Sequence, residues 1–324
     1  MLAPVCRRNS NVKPEQAIKN RKRAERFRIL IIGRANSGKT TILKRVCNST
    51  EDPEILDGTQ QPIDPSILKP AASRGLHEIE NEMIFKSNPE FIFHDSRGFE
   101  AGTTEELSRV KNFIKNRAHG MHLKDRIHVI WYCIPLNDSR PVTKAEIEFF
   151  SECGTGHVPV VVLFTKFDAF DDRAFQLLQR EKGYDDPNPY VPERAQQLFE
   201  EMRSKLPIFN FKYKPKGYVA LRGTMTLANS YMHINIDVTL PLDMDKANAD
   251  CSRLLEVTAE ALDDDTLQLL FVATQQITLK LCTTHAIEKL ILRMESVNKL
   301  SIKQVESLIL RWYPHILGVC EAFV

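Results

Sequence analysis

The chain has 324 residues, of which 43% are apolar and 27% are charged, and its formal net charge is +2. These values fit one large domain, or one domain with an appendage, and exclude a strongly charged or low-complexity chain. No apolar run is long enough for a membrane span, and Met1 to Arg28 lacks the apolar stretch of a secretory signal. The seven cysteines are widely spaced without a C-x-x-C pair. We therefore expect reduced thiols and a cytoplasmic location.

Residues 1–25 are predicted to be a flexible segment, because they are rich in basic residues and poor in apolar ones. The cluster Arg21-Lys22-Arg23 is too short to indicate nucleic-acid binding.

The first predicted strand, Phe27–Ile32, leads into a phosphate-binding loop of the pattern G-x-x-x-x-G-K-T. A helix is predicted to follow over Gly38–Cys47. Backbone N–H groups of such a loop surround phosphate oxygens, and the helix N-terminus adds a partial positive charge. The lysine would act catalytically at the β- and γ-phosphates, and the threonine hydroxyl after it would bind Mg²⁺. The predicted nucleotide-binding residues here are Gly33, Arg34, Ala35, Asn36, Ser37, Gly38, Lys39, Thr40 and Thr41.

Further along, Asp52–Pro70 holds many turn-forming residues, so we predict no regular structure there. His77–Phe85 is predicted as an edge strand and Phe91–His94 as a central strand. Asp95 would therefore lie at the carboxyl end of a strand, where ligands bind in open α/β sheets. It could hold Mg²⁺, and the backbone N–H of Gly98 could meet the γ-phosphate. The alternative, a strand-to-helix turn with an aspartate cap, is disfavoured by the phosphate loop upstream.

The alternation of strands and helices continues, which predicts a doubly wound α/β sheet. Thr165-Lys166-Phe167-Asp168 ends one of these strands and fits the [N/T]-K-x-D pattern. A carboxylate at Asp168 can accept both the N1–H and the N2–H₂ of guanine, a pair of donors that adenine lacks. The Lys166 stem can pack along the base. The remaining predicted elements are strands His128–Ile134, Val158–Thr165 and Gly217–Leu221, and helices Thr104–Arg117, Thr143–Cys153 and Pro192–Lys205.

After Asn248 the apolar residues recur at helical spacing. We predict helices over Ala249–Leu262, Thr266–Cys282, Ala286–Asn298 and Ser301–Cys320, and treat residues 263–324 as a helical extension. Its apolar stripe could dock on the rest of the protein, or contact a membrane surface or a partner.

These motifs resemble those of a translation-factor-class P-loop GTPase, the class that includes Ras-like, Era-like, septin-like and AIG-like G domains. The form D-S-R-G-F-E at Asp95–Glu100 is similar to that of fungal G-domain proteins. The resemblance covers residues 26–262. It implies a three-layer fold around a mostly parallel six-stranded sheet with one antiparallel edge strand, His77–Phe85, and it implies GTP or GDP and Mg²⁺ as ligands.

The resemblance also implies two further site residues. The switch-one Mg²⁺ ligand would be Ser73, with Thr59 as the competitor. Ala220 would offer a backbone N–H to the guanine O6, although the serine that usually precedes it is missing.

One departure bears on the reaction. Ras-like proteins have a glutamine after the glycine of D-x-x-G to orient the attacking water, but here that residue is Phe99. We therefore predict slow GTP hydrolysis by a molecular switch, with the missing group supplied by a loop residue, a potassium ion or a partner subunit. The alternative is a structural GTP-binding module that forms G-domain homodimers or binds an effector. A third possibility, an adenine-nucleotide phosphotransferase, is opposed by Asp168.

Overall fold

The structure is a computed structural model. It describes residues 26–63, 78–96, 104–181, 186–221, 223–226, 239–242, 251–275 and 278–296, together with residues 301, 302, 304, 305, 309 and 312. Its strands are β1 (Phe27–Gly33), β2 (Glu54–Leu56), β3 (Pro62–Ile63), β4 (Glu82–Phe85), β5 (Asn88–Asp95), β6 (Val129–Pro135), β7 (Val160–Thr165), β8 (Gly217–Ala220), β9 (Gly223–Thr226) and β10 (Thr239–Leu242). Its helices are α1 (Lys39–Val46), α2 (Thr104–Ala118), α3 (Lys144–Glu152), α4 (Asp168–Arg180), α5 (Val191–Ser204), α6 (Ser252–Ala261), α7 (Asp265–Thr274) and α8 (Leu279–Ser296).

Eight strands form one sheet in the order β3-β2-β4-β5-β1-β6-β7-β8, and β9 pairs with β10 in a separate hairpin. The strands β5, β1, β6, β7 and β8 are parallel, whereas β4 is antiparallel to β5. The central strands are buried on both faces, which explains their nearly continuous apolar sequences.

Alternate residues of each central strand point into two separate cores. On one face, Ile29, Ile31 and Trp131 pack with α1, α6 and α7. On the other, Leu30, Ile32 and Tyr132 pack with α2 to α5. The result is the predicted three-layer α/β architecture, with helices on both faces of one sheet.

The predicted count of six strands is wrong, because the sheet has eight. The two additional strands, β2 and β3, form a hairpin inside Asp52–Pro70, which we had predicted to lack regular structure. Its turn is held by the Asp57 carboxylate, which accepts hydrogen bonds from the backbone N–H groups of Thr59 and Gln61. Ile55 anchors the hairpin in the core, and such short strands carry too few residues to show alternation.

The hairpin also corrects the prediction of an edge strand. Only the last four residues of His77–Phe85 form a strand, and β4 is antiparallel as expected. However, β2 pairs with its outer side, so β4 is not at the edge.

Two helix predictions also need correction. We did not predict α4, although Phe170, Ala174 and Leu178 have helical spacing and are buried. The single helix expected over Thr266–Cys282 is interrupted after Thr274. There the Gln275 side chain accepts a hydrogen bond from the Thr278 N–H and donates one to the Thr278 carbonyl oxygen.

Helix α7 packs against the sheet itself. The Phe271 ring centroid lies 4.9 Å from that of Phe27 and 5.9 Å from that of Phe91, and Asn88 donates a hydrogen bond to the Thr274 carbonyl oxygen. The separate extension over residues 263–324 stays a prediction, although its first helix shares a core with β1 and β5. In the described residues no helix is both long and apolar enough to span a membrane.

Candidate functional site

The phosphate loop connects β1 to α1 through backbone conformations that few residues adopt. Gly33 has φ +150° and Gly38 has φ +82°, and Asn36 lies in the left-handed region with φ 57°. A Cβ atom on Gly33 would approach the Cys133 carbonyl oxygen to 2.4 Å, so only glycine fits beside β6. A Cβ on Gly38 would meet no atom within 4 Å, so the glycine is favoured there by its positive φ and not by close packing.

Lys39 and Asp95 meet at this loop. The Lys39 Nζ donates a hydrogen bond to the Arg34 carbonyl oxygen at 3.3 Å and lies 3.8 Å from the Asp95 Oδ1. Both side chains are buried, and Asp95 is the last residue of β5, the parallel neighbour of β1. The structure therefore brings the predicted catalytic lysine and the predicted metal ligand together. Cys133 lies beneath them, and burial raises the pKa of its thiol to about 12.

Two serines add buried oxygen atoms here. The hydroxyl oxygens of Ser37, in the loop, and Ser96, next to Asp95, are buried and have no hydrogen-bond partner in the structure. Buried hydroxyl groups are usually hydrogen-bonded, so these two suit a site that receives a polar ligand. Thr40 and Thr41 begin α1 and are half-buried. Among the described residues, no cluster of three or more His, Cys, Asp and Glu side chains could hold a metal ion.

The segment Thr165–Asp168 reaches the phosphate loop through one hydrogen bond. The Thr165 hydroxyl donates to the Ser37 carbonyl oxygen at 2.8 Å. Lys166 then adopts φ 57°, a left-handed conformation that turns the chain sharply. Asp168 is exposed at the first position of α4. The two motifs, more than 120 residues apart in sequence, are adjacent at the carboxyl edge of the sheet.

Ala220 ends β8 and is paired in register with Phe164 of β7. The backbone N–H of Leu221 donates to the Phe164 carbonyl oxygen at 2.8 Å. The end of β8 is thus beside Thr165, as expected for the last predicted site residue.

The sequence analysis missed the most extensive polar contact of the phosphate loop. The Arg34 guanidinium is buried and forms an ion pair with the fully buried Glu146 of α3, with 2.9 Å between Nε and Oε1. It also bonds the Asp138 carboxylate and the carbonyl oxygens of Arg140 and Pro141. We call this set of contacts the Arg34 clasp. It fixes residues 138–146 against the phosphate loop.

Glu146 has a second partner, since it accepts hydrogen bonds from the backbone N–H and the hydroxyl of Thr143 in a capping box at the start of α3. The T-x-x-E pattern at Thr143–Glu146 was the sequence signal for the capping box. No sequence pattern indicated that the same carboxylate would bind Arg34.

Three residues singled out by the sequence analysis, Ser73, Gly98 and Phe99, lie outside the part of the chain that the structure describes. Thr59, the competitor of Ser73, is in the β2–β3 turn, where its hydroxyl donates to the Asp57 carboxylate. That hairpin is separated from β1 by β4 and β5.

His94, next to Asp95, is fully buried. The Arg28 guanidinium can only donate, so the His94 Nε2 accepts at 3.2 Å and the Nδ1–H donates to the Ile79 carbonyl oxygen. Burial and the Arg28 charge lower the His94 pKa to about 3. His94 is therefore neutral, and it faces α2 rather than the phosphate loop.

Six of the strands match the six-stranded sheet that the resemblance implied: one antiparallel strand, β4, then β5, β1, β6, β7 and β8. With the phosphate loop after β1 and Thr165–Asp168 after β7, this order defines the fold of a P-loop GTPase G domain.

Solved G-domain structures are similar at low identity. A GDP-bound variant of the FeoB G domain from S. thermophilus is 10% identical with a TM-score of 0.36, over 88% of this chain and 76% of that one. The septin GTPase domain from Chlamydomonas reinhardtii is 20% identical with a TM-score of 0.28, over 50% of this chain and 64% of the septin chain. An Aquifex aeolicus Era variant bound to GDP and AlF4⁻ is 14% identical with a TM-score of 0.35, over 72% of this chain and 56% of the Era chain. No family model and no curated protein matches the sequence.

Proposed function

We propose that this protein binds GTP and GDP and hydrolyses GTP slowly with Mg²⁺, acting as a molecular switch. The observation that carries the proposal is the hydrogen bond from Thr165 to Ser37. It holds the candidate base-recognition segment against the candidate phosphate loop, so that one nucleotide can contact both.

The phosphates would bind the backbone N–H groups of Gly33–Thr41. The left-handed conformations at Asn36 and Gly38 support this role, because they turn successive N–H groups toward the same space. Lys39 would leave its contacts with Arg34 and Asp95 to bind the β- and γ-phosphate oxygens.

The base would bind at the start of α4. The Asp168 carboxylate would accept two hydrogen bonds from guanine, the Lys166 stem would cover one face of the base, and the Ala220 N–H would meet O6. Adenine would leave the carboxylate unpaired, which is the penalty that gives specificity.

The metal site would consist of the Thr40 hydroxyl, the Asp95 carboxylate through water, and Ser73 from the switch-one segment. Hard oxygen ligands of this kind suit Mg²⁺, and the buried position of Asp95 at the phosphate loop fits them. Bound there, the ion would neutralise charge on the β- and γ-phosphate oxygens. The Gly98 N–H would contact the γ-phosphate, and segments 52–73 and 98–104 would change conformation between the GTP and GDP states.

Slow hydrolysis follows from Phe99, which cannot orient water. The Arg34 clasp removes another source of catalysis, because that guanidinium is already bound by two carboxylates. We propose that a loop residue, a potassium ion or a partner subunit supplies the missing group.

The same observations favour a second candidate, a structural GTP-binding module that homodimerises or binds an effector without turnover. We further propose a cytoplasmic location, in keeping with the five free, buried cysteines of the described residues.

Nucleotide specificity tests the proposal. Fluorescent GTP and ATP analogues would be titrated with Mg²⁺ into wild type, Asp168→Ala and the control Asp172→Ala, which removes an exposed carboxylate from the same helix. We expect wild type and the control to prefer GTP by at least about 100-fold, and Asp168→Ala to lose that preference. Equal binding of both nucleotides by wild type, or an unchanged preference in Asp168→Ala, would reject guanine recognition at this site.

Phosphate release separates the two candidate functions. A switch should show slow turnover that rises with protein concentration or with an added partner. A structural module should retain GTP during purification and self-associate without turnover. Fast turnover by a dilute monomer would contradict both.

A further inference from the structure

The parallel strands also define a second edge of the sheet, opposite the phosphate loop. Ile29 pairs with Val129, Ile130 with Val160, and Val161 with Gly217. The segments that lead into β1, β6, β7 and β8 are therefore side by side. We call the surface formed by Arg26 and residues 119–126, 154–157 and 211–216 the strand-entry face.

Contacts between these segments make the face continuous. The His119 ring lies against Gly156, within 3.1 Å of the position that a Cβ atom would take there. The Tyr213 ring lies against Gly154 in the same way, at 3.5 Å. The Tyr213 N–H also donates to the Phe150 carbonyl oxygen.

The strand-entry face is strongly basic. Within these segments the only carboxylate is Asp125, whereas the basic residues are Arg26, Lys124, Arg126, Lys212, Lys214 and Lys216. One further exposed carboxylate, Glu90, lies beside Arg26 because Phe91 of β5 pairs with Phe27. Lys124, Lys212 and Lys214 are exposed, and none of them forms an ion pair with another described residue. Their positive charge is thus available to an external anion.

The acidic run nearest to this face is already engaged. Asp263 pairs with Lys216 at 2.9 Å, and Asp265 pairs with Lys289 at 2.7 Å. The Asp264 side chain accepts a hydrogen bond from the Leu267 N–H at the start of α7. Lys216 is therefore neutralised, whereas Lys124, Lys212 and Lys214 have no ion-pair partner within the part of the chain that the structure describes.

One apolar side chain projects from the same face. Met121 is 89% exposed and lies between the exposed residues His119 and His122, three positions before Lys124. An exposed apolar side chain surrounded by basic residues is typical of surfaces that enter the headgroup region of a membrane.

The chain before Arg26 adds to this charge. Residues 1–25 contain seven basic residues and two glutamates, and they are joined to the strand-entry face at Arg26. Basic residues from both parts of the chain are attracted to the negative surface of an anionic membrane, and each adds to that attraction.

We propose that the strand-entry face is a peripheral docking surface for a bilayer that contains anionic phospholipid. The lysines would bind lipid phosphates and carboxylates, and Met121 would enter the apolar boundary. A nucleic acid would satisfy the lysines but not Met121, since its backbone presents no apolar layer. The docked protein would keep the phosphate loop, at the other edge of the sheet, directed away from the membrane.

The test is cosedimentation of the full chain with vesicles of phosphatidylcholine alone or with roughly 30% of the anionic lipid phosphatidylserine. We expect binding only to the anionic vesicles, with loss of binding at high salt. Each basic residue near such a surface raises the partition coefficient about fivefold. The double variant Lys212→Gln, Lys214→Gln should therefore bind about 25-fold more weakly, and Met121→Asp several-fold more weakly.

Matched controls locate the effect. Lys144→Gln with Arg173→Gln removes the same charge from exposed positions on α3 and α4, and should bind like wild type. Thermal unfolding checks that each variant is folded. The proposal is overturned if wild type binds both vesicle types equally or neither, if the control loses as much binding as the Lys212 and Lys214 variant, or if single-stranded RNA displaces the protein from vesicles at equal anion concentration.

Discussion

Arg28 lies at the start of β1 and Arg34 directly follows the same strand. Each buries its guanidinium against a buried glutamate, yet the two pairs connect different parts of the molecule. Arg28 Nη1 lies 2.6 Å from the Glu82 Oε1, which joins β1 to β4 across β5. Arg34 joins the phosphate loop to α3 through Glu146. The same kind of ion pair therefore stabilises the sheet at Arg28 and the candidate site at Arg34. The difference depends on whether the glutamate partner belongs to a strand or to a helix.

The two pairs also differ in their neighbours. Arg28 is in contact with two neutral histidines, because its side chain donates to His94 and its backbone N–H donates to His128. Arg34 is surrounded by a second carboxylate and two carbonyl oxygens. Only the Arg28 region should therefore respond to mild acid.

The largest effect is expected from Glu146→Ala. It would leave the buried Arg34 guanidinium without its main partner and remove the capping box of α3. We expect the free energy of unfolding to fall by about 4 kcal/mol and GTP affinity to fall as well, measured by urea unfolding and analogue titration.

Glu148→Ala on the same helix is the control for this change. Among the described residues, Glu148 pairs only with the exposed Lys144, so its loss should cost less than about 0.5 kcal/mol. The double variant Arg34→Met, Glu146→Leu should recover stability without recovering affinity, because an apolar pair can replace a buried ion pair but not the clasp of residues 138–146. Full recovery of affinity would show that the clasp has no role in nucleotide binding.

Glu82→Ala makes the corresponding change at Arg28. We expect a loss of about 3 kcal/mol in the free energy of unfolding, with GTP affinity of the folded protein unchanged. Glu80→Ala, which removes a more exposed partner of Arg117, should have little effect on stability. A loss of GTP affinity in folded Glu82→Ala would mean that the two arginine pairs are coupled.

The third prediction concerns pH. Burial, followed by the Arg28 charge, lowers the His94 pKa to about 3, and burial lowers the His128 pKa to about 4. In the unfolded chain these two histidines bind protons near pH 6.5, whereas in the folded protein they stay neutral to a lower pH. Their contribution to the free energy of unfolding is therefore complete above pH 6.5 and is lost as the pH falls from 6.5 toward the pKa values of the folded protein. At pH 5 each of the two histidines should lower the free energy of unfolding by about 2 kcal/mol relative to pH 7.

Urea unfolding at pH 7 and pH 5 measures this effect. His94→Gln should remove about a third of the pH dependence, because burial also lowers the pKa of a third histidine, His285, to about 4. The double variant Arg34→Met, Glu146→Leu should leave the pH dependence intact. An unchanged pH dependence in His94→Gln would mean that this histidine is not kept neutral by the fold.

The smallest effect is expected from Thr165→Val, which removes the hydrogen bond to the Ser37 carbonyl oxygen. We expect GTP affinity to fall about fivefold, the value of one hydrogen bond of about 1 kcal/mol. Thr155→Val removes a similar bond, to Val158, from a loop at the other edge of the sheet, and should leave the affinity unchanged. Equal affinities for both variants would argue against a nucleotide that spans the two motifs.

Much of the fold was predictable because its central strands are short and almost entirely apolar and its helices have strong periodicity. The phosphate loop and the strand ends at Asp95 and Thr165 were placed correctly for the same reason, since a parallel sheet brings the carboxyl ends of its strands to one edge. The β2–β3 hairpin was missed because its strands have only three and two residues, too few to show an alternating pattern. The break after Thr274 was missed because it depends on side-chain bonds of Gln275.

The sequence by itself determined the order of the layers, the glycine-rich loop after β1 and the residues available at the carboxyl edge of the sheet, because these depend on local periodicity and on motifs of a few residues. Only the tertiary structure decided which charged groups are paired. Arg34 meets Glu146 across 112 residues, and Arg28 meets Glu82 across 54. Such pairs form because the sheet brings distant segments together and excludes water, and burial leaves an arginine stable only where a carboxylate is within reach.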